Sequence, residues 1–192
     1  MAVNLSARQF RNRDLIRVVG EILEETQLPV HLLELEVTEG AIMTDIDRTI
    51  ATLQSLSEMG VRIAVDDFGT GYSSLAYLAR FPLDVLKIDQ SFVRDIVERS
   101  DVASVVSAIV GLAHSLDLSV VAEGVENLEQ LEFLRVLGCE EIQGYLYGRP
   151  LSADDFEGLL RRSRGRAFTT LETLDGSAAT ALLRRVAAGG ES

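Results

Sequence analysis

Apolar residues recur along the chain in two alternating rhythms, short runs of four to seven and longer stretches at helical spacing. Met1 to Leu5 is strand-like and ends in Asn4-Leu5-Ser6. Leu15, Ile16, Val18, Val19, Ile22 and Leu23 then mark a helix within Asn12 to Gln27, closed by Pro29. Leu32 to Thr38 alternates as a strand should and runs into Glu39. Ile46, Ile50, Leu53, Leu56 and Met59 give a helix with Thr44 or Asp45 as cap and Gly60 as its end. Arg62 to Val65 is too short for a helix and predicts a buried strand that stops at Asp66-Asp67. A Gly-bracketed segment, Phe68 to Ser74, follows, with a short helical piece to Arg80 that Pro82 breaks. Asp84 to Asp89 is a fourth strand, and Val102 to Leu116 a long apolar helix. Leu118 to Ala122 is a fifth strand, running into Glu123-Gly124-Val125-Glu126. Asn127 with Gln130 predicts a capping box for a helix through Leu137, stopped by Gly138. Glu140 to Gln143 is the sixth strand, and Ser152 with Asp155 opens a last helix to about Arg162. Beyond Arg166 periodicity fades, apart from a helix near Ala178 to Val186.

Strand followed by helix, six times over, implies a parallel sheet of βαβ units. A doubly wound sheet and a (β/α)8 barrel share that pattern, so the polar residues arbitrate. They stand at Asn4, Glu36, Asp66 with Asp67, Lys87 with Asp89, Glu123 and Gln143, each at the C-terminal end of its strand. A doubly wound sheet gathers its ligand at one crevice between a few strands, whereas a barrel brings every strand end to one mouth. Polar ends on all six strands favour the barrel.

Composition narrows the function further. The 192 residues have the length of one domain, and 47% hydrophobic with 25% charged residues is ordinary for a soluble globular protein. No run of about 18 apolar residues and no signal-peptide pattern is present, so a cytoplasmic location is expected. A formal charge of -12 argues against nucleic-acid or anionic-membrane binding, and an anionic ligand would need metal ions to offset the field. The single Cys139 excludes an internal disulfide.

Two adjacent carboxylates at the end of an apolar strand are costly to desolvate unless a cation meets them. If Asn4, Glu36, Asp66, Asp67 and Glu123 converge, they form a hard, all-oxygen donor set that selects Mg2+ or Mn2+ over zinc or copper. Two such ions, about 4 Å apart, are the usual device for in-line displacement at phosphorus. Lys87 beside them could orient the attacking water or offset charge building on phosphate. No Ser/His/Asp or Cys/His arrangement competes, and neither His31 nor His114 has a partner in a comparable position.

Val3-Asn4-Leu5-Ser6, Glu36-Val37-Thr38-Glu39, Asp66 to Leu75, Leu86-Lys87-Ile88-Asp89, Glu123 to Glu126 and Gln143-Gly144-Tyr145-Leu146 resemble, in order, the motif series of the EAL domain, the bacterial cyclic-di-GMP phosphodiesterase. The resemblance covers Ala2 to about Leu160. It implies a TIM-like (β/α)8 barrel that hydrolyses cyclic-di-GMP to linear pGpG with two Mg2+ or Mn2+ ions. It also implies a first metal on Asn4, Glu36 and Asp66, and a second on Asp66, Asp67 and Glu123. Lys87, Glu123 and Asp66 would be catalytic; Gln143, Glu39, Thr70, Asp89, Glu126 and Pro150 would bind substrate or support the site. Glu39 would anchor the loop from Phe68 to Ser74, and that loop with its following helix would carry a homodimer. The family's Glu-Ala-Leu tripeptide, whose glutamate is a further metal ligand, belongs upstream of Asn4, so two strands and one ligand are expected to be missing. The expectation is therefore an EAL domain over residues 1–162 lacking its first two strands, with an Ala/Gly-rich appendix over 163–192. Little or no turnover is expected of this chain alone, and the alternative is a degenerate EAL domain acting as a cyclic-di-GMP receptor or protein-interaction module. An upstream sensor or membrane domain is compatible with either.

Overall fold

The first strand, β1 (Ala2–Leu5), pairs with β2 (Glu34–Thr38), and each later strand adds beside its predecessor: β3 (Arg62–Phe68), β4 (Val85–Ile88), β5 (Ser119–Glu123) and β6 (Glu141–Gln143). Every pairing is parallel. The computed structural model describes residues 1–71 and 75–163. The expected helix near Ala178 to Val186, the appendix and Tyr72-Ser73-Ser74 of the glycine loop lie outside them. A strand order without reversal lacks the switch point of a doubly wound sheet and is that of an arc of a barrel.

Each connection is built by local signals. Ser6 and Gln9 form a reciprocal capping box for α1 (Ala7–Phe10), and α2 (Leu15–Thr26) follows with Gln27 in the left-handed region at its end. Pro29 starts a 3-10 turn at Val30–Leu32. That turn delays β2 to Glu34, two residues after the expected start. Three short helices follow strand ends within a residue, α1 after β1, α3 (Glu39–Ile42) after β2 and, further on, one after β4. One turn holds too few residues for a period to show, so spacing did not predict them. Gly60, at φ +90, ends α4 (Ile46–Glu58). A one-turn α5 (Leu75–Leu78) follows β3. Asp89 caps α6 (Gln90–Asp95) by accepting from Ser91 N at 2.9 Å. After α7 (Ser100–Ser115), the expected Asn127/Gln130 box opens α8 (Leu128–Leu137), and Gly138 closes it at φ +85.

Alternation along the strands separates two faces. Leu35, Val37, Ile63, Val65, Leu86, Ile88, Val120 and Ala122 are buried on one, where α4 packs against β3 and α7 against β4 and β5. Ala64, Val85 and Val121 cluster on the other, below the polar strand ends. Burial on both faces is why the middle strands read as nearly unbroken apolar runs. Of the six strands only β1 and β6 carry exposed positions, two each at alternate residues.

The chain divides into two units, Met1–Gln143 and Gly144–Ser192. In the second, Gly144 O accepts from Tyr147 N, the Arg149 guanidinium lies 4.6 Å from the Tyr145 ring centroid, and Ser152 Oγ accepts from Asp155 N to open α9 (Ala153–Ser163).

Candidate metal centre

Regular alternation would send Asp66 and Asp67 to opposite faces of β3. The strand avoids this by bulging rather than by ending at the acid pair. Its register against β4 shifts between Val65 and Phe68, and Asp67 takes the left-handed conformation at φ 55, which aspartate tolerates better than most residues. Asp67 N then donates to Asp66 Oδ1 at 3.0 Å, and Thr70 Oγ1 donates to Asp67 O at 2.8 Å. Both carboxylates thereby reach one side, where an oxygen from each of Asp66, Asp67 and Glu123 lies within 4.8 Å of the others.

Lys87 ties the remaining strand ends together. Its Nζ stands 2.8 Å from Glu36 Oε1, 3.4 Å from Asp66 Oδ1 and 2.6 Å from Glu123 Oε1, with its side chain 5% exposed. Glu36 is on β2 and Glu123 on β5, three strands apart, a gap of about 14 Å in a flat sheet. One ammonium touching both requires the sheet to curl around it.

The charges do not balance. Burial alone would lower the Lys87 pKa, but hydrogen bonds to Glu123 and Glu36 and the charges of Glu123 and Asp66 hold it above its ordinary value. Glu123 is pushed up, first by burial; Lys87 opposes this, while Asp66 and Glu36 add to it. Asp67 is pushed up by burial, then by the charges of Asp66 and Asp89 and a hydrogen bond with Asp89, with Lys87 opposing. Four carboxylates face one ammonium, all with oxygen donors, and a hard divalent cation fits that deficit.

Around this group, Glu39 is buried at 2% exposure and its Oε2 accepts from Gly69 N at 2.9 Å. Gly69 has φ +96, and a Cβ on Gly71 would fall 2.5 Å from Glu39 Oε1, so both glycines serve the close approach of loop to carboxylate. Gly124, at φ +72, lies so close to Gln90 that a Cβ would fall 2.5 Å from that residue's Cβ; its place in the Glu123 to Glu126 motif was the only sequence signal for this contact. Asn4 stands beside Glu36 in register, and Gln143 beside Glu123. Both are exposed, and among the described residues neither side chain bonds the carboxylates. Glu126 is exposed too, its backbone N–H donating to Gln130 Oε1. Pro150 belongs to the second unit and is exposed. His114 has a partner that the sequence did not suggest: its Nε2 is 3.0 Å from Glu140 Oε1, just before β6 begins. Among the described residues no helix is long and apolar enough to cross a membrane.

A family model described as EAL domain matches residues 1–150. The cyclic di-GMP phosphodiesterase NbdA of Pseudomonas aeruginosa is 48% identical over 175 residues, which cover 91% of this chain and 22% of NbdA. The solved structure of the PaMucR phosphodiesterase in complex with c-di-GMP superposes with a TM-score of 0.79 at 50% identity, covering 81% of this chain and 63% of that one. BlrP1 of Klebsiella pneumoniae, solved as a manganese/cyclic di-GMP complex, gives a TM-score of 0.72 at 35% identity over 78% of this chain and 38% of BlrP1. The chain spans about a fifth of the length of the curated relatives it matches.

Proposed function

The chain belongs to the EAL domain family, and from that premise we propose that its strand-end carboxylates form the metal centre of a phosphodiesterase that opens cyclic di-GMP to linear pGpG. The observation that carries the reading is the convergence of Asp66, Asp67 and Glu123 within 4.8 Å, in surroundings that hold too little positive charge for them. Asn4, Glu36 and Asp66 would hold one Mg2+ or Mn2+ ion, and Asp66, Asp67 and Glu123 a second. Bound there, the ions would neutralise phosphate charge and lower the pKa of water.

The protein's own groups then have distinct tasks. Lys87, gripped by Glu36 and Glu123, presents an ammonium whose N–H groups can orient the attacking water and meet charge growing on a phosphate oxygen. Thr70 steadies Asp67 in its left-handed turn, while Asp89, the cap of α6, adds a further carboxylate beside Asp67. Glu39 fixes the start of the glycine loop, and Gln143 and Glu126 stand at neighbouring strand ends. That loop with α5 is proposed as a homodimer face, where Tyr77 is exposed and carries Arg80 at 5.7 Å from its ring centroid. The domain is taken as residues 1–162.

Incubating the purified chain with cyclic di-GMP and Mn2+ or Mg2+, and separating products by chromatography, tests the activity. Slow, metal-dependent pGpG release is expected, abolished in Asp66→Asn. Turnover is expected to be low for this chain because Asn4 stands exposed on an edge strand, leaving one side of the first metal site open. Product formation that ignores chelator would overturn the reading. One observation favours a second reading, binding without cleavage: Lys87 already pairs with three of the carboxylates without an ion. Calorimetric binding of cyclic di-GMP in chelator, with no product, would support it.

A further inference from the structure

Away from the metal centre, the turn between α1 and α2 faces α4 across a groove of about 380 Å³ lined by Asn12, Arg13, Ile16, Arg48 and Thr52. A smaller recess beside it shares Arg48 and Thr52 and adds Arg11 and Asp45. Concentrated positive charge is unexpected in a chain of net charge -12. Most of the other arginines with described contacts are matched to acids: Arg17 to Glu21, Arg62 to Glu34, Arg99 to Asp101, Arg161 to Glu157. Arg11, Arg13 and Arg48 make no ion pair among the described residues. Arg11 Nε donates to Ala7 O at 3.0 Å, and Arg48 Nη2 donates to Arg11 O at 2.6 Å, so two of the three guanidiniums are held in place by backbone rather than by charge.

We propose that this groove binds the phosphate monoester of a small ligand. A monoester carries close to two negative charges at neutral pH and three acceptor oxygens, the counterpart of two guanidinium forks. Arg13 and Arg48 supply the forks from opposite walls, the Thr52 hydroxyl adds a donor, and Ile16 gives an apolar wall for the rest of the ligand. Asp45 rims the smaller recess, which places the phosphate in the larger groove, away from that carboxylate. Anchoring of Arg48 to Arg11 O lowers the ordering cost of binding.

The site is independent of the metal centre, and so is its test. Inorganic phosphate and GMP are titrated into the full chain in EDTA, which leaves no ion to hold phosphate at the carboxylates, and backbone amide shifts are followed by NMR. Saturable shifts confined to residues 11–16 and 45–52 are expected with both probes. Arg13→Gln and Arg48→Gln are each expected to weaken them at least about tenfold, the loss of one charge-assisted contact. Arg161→Gln leaves them unchanged. Among the described residues the Arg13 side chain makes no hydrogen bond or ion pair, so its variant reads binding even where Arg48→Gln disturbs the turn. Absence of saturation at millimolar phosphate, shifts that survive both substitutions, or a response to poly-glutamate but to neither phosphate probe would overturn the proposal. A response to cyclic di-GMP, which holds only diesters, equal to that for GMP would overturn the monoester assignment.

Discussion

Lys87 is the cation that holds the strand-end carboxylates together in the metal-free protein. Its ammonium is buried against Glu36, Asp66 and Glu123, and removing one partner of a buried ionic group leaves the others uncompensated, at about 3–5 kcal/mol. Lys87→Met is therefore expected to lose several kcal/mol in equilibrium denaturation in EDTA, and to recover part of that loss when Mn2+ is added. Arg17→Ala breaks an ion pair whose side chains are more than half exposed, and is expected to leave the midpoint unmoved. Cys139 gives the opposite kind of residue, shielded rather than paired. Burial pushes its thiol up to about 11, while a backbone carbonyl at 3.3 Å keeps its hydrogen engaged. At pH 8.5 its thiolate fraction is then on the order of a hundredfold below that of a free cysteine with pKa about 8.5. Alkylation by iodoacetamide is expected to be slowed accordingly in the native chain and to become fast in denaturant. Since the folded thiol holds its proton longer than the unfolded one, its contribution to stability is complete below about pH 8.5 and is lost as pH rises through about 11.

At the scale of elements, β3 and the loop behind it carry the site. Gly71→Ala would push a methyl against the carboxylate that holds Gly69 N, and Glu39→Ala would remove the acceptor of that N–H, a cost of about 0.5–1.5 kcal/mol. Both substitutions are expected to raise the hydrogen-exchange rate of the Gly69 amide far more than that of Val65 in the middle of the strand. If the two amides respond alike, Glu39 is not what fixes the loop. The six strands and the long helices were legible because burial on two faces imposes apolar runs, and burial on one face a helical period. The capping box at Asn127 and the stop at Gly138 were legible for the same reason, since cap geometry admits few residue types. The bulge at Asp66-Asp67 was not, because a register shift belongs to a pair of strands and only one of them is in any local window. Nor was the Arg13–Arg48 groove, whose walls lie 35 positions apart in a sequence dominated by acids.

For the whole molecule, the curl of the sheet and its charge are one problem. Bringing the ends of β2 and β5 to a single ammonium concentrates carboxylates faster than Lys87 can offset them, so the native state holds repulsion that the unfolded chain relieves. A divalent ion that binds only the folded arrangement should then stabilise it by RT ln(1 + [ion]/Kd), about 2.7 kcal/mol at a hundredfold excess over Kd. Thermal denaturation against Mn2+ concentration is expected to show a rising midpoint that EDTA reverses. Asp66→Asn separates this from ordinary stabilisation. Removing one of the crowded charges should leave the apo midpoint unchanged or higher, yet the Mn2+ response should largely vanish. Asp14→Asn, at an exposed carboxylate outside the centre, should keep the full response. A Mn2+ response that persists in Asp66→Asn would mean that the ion acts at the acidic surface in general, and the strand ends would then be only a buried ion-pair network around Lys87.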